Sequence, residues 1–167
     1  MQAFIAPLRE LAEFEEVFKK RTKQTGIIQL TGCVNPQKTH MMHALSDGFD
    51  FKIIATSSEL KAKQIYEEYR FYDRMVSLYP AKDLIFYQAD VFGNRITTER
   101  MRVIRKILEG NQITIVTTID SFMHPVVPLS VYEKNILSLK KGDVAEEAAI
   151  AYRLSEMGYR NVSQVEE

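Results

Sequence analysis

Cysteine is nearly missing from this sequence, with Cys33 the one thiol in 167 residues. An internal disulfide is therefore impossible and a cysteine-based zinc site is excluded, which makes the cytoplasm the natural compartment. Nothing beside Cys33 in the sequence marks an activating base, so a small buried residue is expected there in preference to a nucleophile. An excess of charge of either sign is also lacking, with 22 lysines and arginines against 22 aspartates and glutamates. No global field then favours or opposes nucleic acid, and any contact with DNA has to be local. Apolar runs long enough to span a membrane are missing, and charges stand where a secretion signal would be apolar, so no membrane association is expected. What is there is an ordinary globular composition, 46% hydrophobic and 26% charged. It suffices for one sizeable core and a fragment of another.

The stretch Leu30 to Leu45, LTGCVNPQKTHMMHAL, sits where a buried strand should feed a helix. It has the outline of the pattern G-x-x-x-x-G-K-[ST]. In the intact pattern glycines let backbone N–H groups close on phosphates, the lysine reaches the outer phosphates and the hydroxyl holds magnesium. Gly32, Lys38 and Thr39 stand in their places, but Gln37 replaces the second glycine and Pro36 precedes it. A Cβ at position 37 resists positive φ, and proline has no N–H to offer the cradle. No nucleotide or metal is therefore expected in this loop. An ordinary strand-to-helix turn that happens to contain Lys-Thr is the alternative. His40 and His43 follow three apart; without a third ligand at helical spacing they read as helix-surface or core-edge imidazoles.

The remainder alternates short β-branched runs with amphipathic segments, the pattern of a three-layer α/β fold with a mostly parallel sheet. Strands are expected near Ile28, Ile53, Val76 and Ile115. A first helix is expected from Pro7, carrying Leu8, Leu11, Phe14, Val17 and Phe18, and a second from about Pro36 to Leu45. Ser57 or Ser58 should cap a helix that lays Ala62, Ile65, Tyr66, Tyr69 and Tyr72 on the sheet. DLIFYQADVFGNR reads as a loop with Gly93 and Asn94 as turn residues. Its Phe86, Tyr87 and Phe92 would either stack on bases or staple the connection to the sheet. TTERMRVIRKILEG should turn Met101, Ile104, Ile107 and Leu108 inward and Arg102, Arg105 and Lys106 outward. That basic face is either simply solvated or a contact for phosphate or an acidic partner. QITIVTTID reads as a strand buried on both sides. Asp120 at its end imitates a magnesium-binding carboxylate, yet Ser121 follows where a helicase pattern wants a glutamate. Near Pro128 to Lys134 the texture changes, dividing residues 1–132 from 133–167. Beyond it come a strand-like NILSL, a capping box of Asp143 and Glu146, a helix with Ile150, Leu154 and Met157 ending at Gly158, and a short strand in RNVSQVEE.

ITIVTTIDSFMHPVVPLS, LSLKKGDVAEEA and SEMGYRNVSQV together resemble the amino-terminal region of bacterial transcription-repair coupling factors, and the resemblance runs nearly end to end. YPAKDLIFYQADVFGNRITTERM occupies the place of that family's Leu-Pro, Pro-Tyr-Asp and Ser-Pro segment. The region is itself similar to the first and inserted second domains of the excision-repair helicase UvrB. The resemblance implies a UvrB-like, P-loop NTPase-type first domain with a degenerate loop (Gly32, Gln37, Lys38, Thr39), and from residue 133 the truncated start of a small α+β domain that contacts UvrA. It also implies a parent protein that acts in nucleotide excision repair as an ATP-dependent DNA translocase. That parent displaces stalled RNA polymerase from DNA with a downstream motor holding ATP and magnesium, while this segment is catalytically silent. UvrB has a long aromatic β-hairpin after the position of Tyr87; only a short stretch to Arg95 stands here, so damage verification is not implied. The family continues past the position of Glu167 into an Arg-Gly segment whose arginine belongs to the UvrA contact. The rival reading is a nucleotide-binding helicase domain in which Lys38, Thr39 and Asp120 still hold ATP and magnesium, and Gln37 and Ser121 argue against it.

Overall fold

The computed structural model describes residues 2–21, 26–81 and 90–162. They fall into two compact units, Met1–Pro125 and Val126–Glu167.

The sheet of the first unit has three described strands, β1 (Phe51–Thr56), β2 (Val76–Tyr79) and β3 (Ile113–Thr118). They run parallel in the order β1-β3-β2, with Phe51 opposite Ile113 and Val76 opposite Thr114. The last strand in sequence is thus the middle one, and every residue of it is buried, as its unbroken apolar and threonine run foretells. Helices α3 (Asn35–Leu45) and α4 (Glu59–Tyr69) cover one face, where Ala62, Tyr69, Val76 and Val116 form a cluster joined by Met42 and Ile54. Helix α5 (Asp90–Leu108) covers the other, where Val103 and Ile107 meet Tyr79, Ile113 and Ile115. Strand β1 alternates instead: Phe51, Ile53 and Ala55 point to a side that remains exposed. Ser58 caps α4, its hydroxyl accepting from the Lys61 N–H at 3.4 Å.

Several expectations are corrected. The run Gly26–Leu30 makes no strand; Ile27 is 99% exposed and Ile28 and Leu30 are also exposed. β-branched composition specifies a strand only where a neighbouring strand is paired with it, and this run has none among the described residues. The single first helix is two, α1 (Gln2–Arg9) and α2 (Ala12–Lys20), with Leu11 extended between them and Pro7 inside α1. At roughly 100° per residue, Ile5 and Phe14 would sit on opposite sides of one straight helix. The break lets both bury against Ala44 of α3. Gly93 and Asn94 lie within α5, not in a turn, so the helix starts earlier than its breaker residues suggested. A glycine costs a helix only about 1 kcal/mol, which the packing of the rest offsets. Met101 is exposed and Val103 takes its inward place, while Lys106 is half-buried instead of outward. Phe86, Tyr87 and the side chain of Phe92 lie outside the described residues.

The second unit contains a pair of short helices, α7 (Leu129–Lys134) and α8 (Glu147–Glu156), α6 (Ile119–Met123) having closed the first. NILSL is not a strand, because α7 runs up to Asn135 and the residues beyond it form no strand ladder among the described residues. The capping box also fails to form: the Asp143 carboxylate accepts from the Lys140 N–H at 2.8 Å in the preceding turn, and α8 starts after Glu146 with no side-chain cap. Aspartate bonds readily to its own local backbone, and here the turn containing Gly142 at φ +99° wins it. Gly158 ends α8 at φ +90°, as its position foretells. Arg160–Val162 are not in a strand, and the rest of RNVSQVEE lies outside the described residues.

Candidate functional site

The phosphate-loop-like turn is built from residues that have found partners within the chain. Gly32 takes φ +81°, a left-handed conformation that glycine adopts without strain. Val34 is extended and α3 begins directly after it, so the Lys38 N–H bonds to the Val34 carbonyl at 3.0 Å inside the first helical turn. The Gln37 side chain reaches back and accepts from the Val34 N–H at 3.2 Å. A glycine there would leave that amide open to a ligand. The Lys38 ammonium is exposed and donates to the Asn35 side chain at 3.2 Å. The Thr39 hydroxyl is buried and lies 3.1 Å from the Pro36 carbonyl and 3.2 Å from a Glu68 carboxylate oxygen on α4. The turn's chemistry is directed at its own helix and at α4.

Behind the turn, α3 and α4 meet through stacked rings. His43 is 2% exposed and lies edge-on to Tyr69 at 5.8 Å and near-parallel to Tyr72 at 5.4 Å. His40 stacks on the same Tyr72 at 5.4 Å, and its Nε2 meets the Phe4 carbonyl at 2.6 Å. Both histidines are thus packing groups, and no cluster of three or more metal-binding side chains occurs among the described residues. Below them the buried Asp73 accepts from Thr114 Oγ1 at 2.6 Å, the Met75 N–H at 2.8 Å and Lys52 Nζ at 3.4 Å.

Asp120 sits in the first turn of α6 with its side chain exposed, while Ser121 is buried and donates to the Pro80 carbonyl at 3.1 Å. Sequence reasoning missed Arg100. Its guanidinium is buried over the Tyr79 ring and donates to the Pro80 carbonyl at 2.7 Å and to Ser121 Oγ at 3.1 Å, tying the ends of β2 and β3 together. The signal available was its spacing of three from the inward Val103.

Arg102, Arg105 and Lys106 share one wall of a cleft of about 1110 Å³ between α4 and α5, with Lys63, Glu67 and Arg70 on the other. Only part of that basic wall carries free charge. Arg105 pairs with Glu109 at 2.8 Å, Arg70 with Glu67 at 3.2 Å, and Lys106 donates to the Ser77 hydroxyl at 2.8 Å. Arg102 and Lys63 have no ion pair among the described residues. No helix among the described residues is long and apolar enough to cross a membrane.

No family model matches the sequence. A curated relative does: the transcription-repair-coupling factor of Bacillus subtilis (strain 168) is 27% identical over 93 residues, which is 56% of this chain. The match spans 8% of that protein's length. It gives distant, partial support for a relationship to coupling factors.

Proposed function

We propose that this chain is the UvrB-like amino-terminal module of a transcription-repair coupling factor, catalytically silent in itself and acting in transcription-coupled nucleotide excision repair. Its role is to scaffold UvrA recruitment, with residues from 133 onward belonging to the UvrA-contacting domain. A motor elsewhere in the parent protein uses ATP and magnesium to displace stalled RNA polymerase from DNA. The similarity over 93 residues to the Bacillus coupling factor carries this reading. The turn from Gly32 to Thr39 supports its silent character, since Gln37 occupies a loop amide and Thr39 is engaged by Glu68.

The test has two arms. Titration with labelled ATP should show no saturable binding at micromolar levels; saturable binding lost in Lys38→Ala would overturn the silent module. Titration with UvrA should give weak binding for this chain and tight binding for a version extended through the rest of the second domain. Equal binding by the two would move the contact surface into the first unit.

A further inference from the structure

His43 is the one imidazole of this chain that is buried, and its surroundings suit only its neutral form. Neither ring nitrogen has a hydrogen-bond partner among the described residues. A neutral imidazole carries one N–H and one lone pair, whereas the imidazolium carries two N–H donors and a full charge. Placing that cation between Tyr69 and Tyr72 would leave two N–H donors without a hydrogen-bond partner in a buried site.

The charged and titratable groups around it do not relieve this. From β1, Lys52 adds a like charge; from its own helix, His40 adds another when protonated. Asp73, on the segment between α4 and β2, is the nearest source of opposite charge along with Asp47, but Asp73 is already held by Thr114, the Met75 N–H and Lys52. The Tyr69 hydroxyl is hydrogen-bonded to the Ser46 hydroxyl at 2.9 Å. Burial, the largest influence, and the Lys52 charge push the His43 imidazolium below the ordinary histidine value, against the pull of Asp73 and Asp47.

The position of His43 decides what gives way when it is protonated. On its other side α3 is held by Ile5 and Phe14 of α1 and α2 against Ala44, by half-buried His40 at the Phe4 carbonyl and by Arg21 at the Leu45 carbonyl. The seam to α4 is the side that contains the buried imidazole of His43. We infer that His43 makes the α3–α4 seam a proton-operated latch: neutral, it seats α3 on Tyr69 and Tyr72; protonated, it releases α3 together with the turn from Gly32 to Thr39 that Thr39 fastens to Glu68.

The sign follows from linkage. The released state holds an ordinary imidazole near 6.5, and the seated state holds a depressed one. Seating is therefore fully present above about pH 6.5 and is lost as pH falls toward the depressed value, with the opening equilibrium rising about tenfold per pH unit inside that window.

The chain has no tryptophan, so near-ultraviolet circular dichroism reads its tyrosines. Between pH 7.5 and 5 the full chain should lose part of that signal, and NMR contacts between Thr39 and α4 should fade, while far-ultraviolet helix content holds. His43→Phe, which keeps an aromatic ring and removes the proton site, should stay flat across the window, and so should His43→Gln if the phenylalanine variant is misfolded. His40→Ala should still show the transition. A flat wild-type profile, or a His43→Phe or His43→Gln variant that follows the wild-type curve, overturns the latch.

Discussion

Asp73 shows how much one side chain can organise. It is 5% exposed, and burial alone would raise its carboxyl; the hydrogen bonds from Thr114 and the Met75 N–H and the charge of Lys52 together outweigh burial and hold it below the ordinary value. A carboxyl depressed in the folded chain adds stability above its unfolded value, near 3.8, and loses it as pH falls through the folded one. That window opens below about 3.8, whereas the one in which His43 acts opens below about 6.5, so acid should reach the His43 seam before it reaches Asp73. Removing one member of a buried charged network strands the others. Asp73→Ala should therefore cost about 3–5 kcal/mol in urea unfolding at pH 7, and the loss should shrink at pH 3. Neither Asp73 nor its role was legible in the sequence, because its partners Lys52 and Thr114 stand 21 and 41 positions away. The start of helix α3 at the turn was legible, because Pro36 and Gln37 are local chemistry: proline suits a first helical turn and the Gln37 side chain accepts from the Val34 N–H.

At the scale of elements, strands with nearly equal composition have different fates. FKIIAT, VSLY and ITIVTT form the sheet where their β-branched and aromatic runs predict, whereas GIIQL, as apolar as any of them, does not. The difference is the presence of a partner surface, which no local window records. Likewise α5 runs through Gly93 and Asn94, and its inward face is set by Val103 against Tyr79 and Ile113, so that Met101 turns out. Position in the sheet also sets what each residue is worth. Ile113 on β3 is 1% exposed and Ile53 on β1 is 42% exposed. Ile113→Ala should cost about 2–5 kcal/mol, while Ile53→Ala should stay within about 0.5 kcal/mol of the parent; paired thermal melts give both values. Equal losses would mean that the outer side of β1 is covered in solution.

For the whole molecule, the two units differ in how they are held. The first has clusters on both sides of its sheet, but neither α7 nor α8 of the second contains a buried residue. Arg153 reaches the Ile136 carbonyl at 3.3 Å, a thin tie for a unit that spans residues 126–167. Units near 40 residues seldom stand without disulfides, metals or association, and Cys33, the lone thiol, lies in the other unit. Dilute trypsin should therefore cut between Lys134 and Arg160 at least about tenfold faster than between Lys52 and Arg74, since cleavage follows the population of locally opened chain. Mass spectrometry of the first fragments reads the order, and first cuts inside the sheet would contradict it.

The order of the strands also fixes a sequence of events in time. β1 and β2 lie on either side of β3 and never touch each other, and the pairing is long-range: Gln112 bonds to Asp50 across 62 positions. A ribosome adds about 5–20 residues per second, so the two outer strands emerge with no sheet to join and must wait for Thr118 to clear the exit tunnel. Until then each offers bare backbone to any passing chain. Among the described strands the middle one arrives last, so neither β1 nor β2 can take its place in the sheet before β3 has been made.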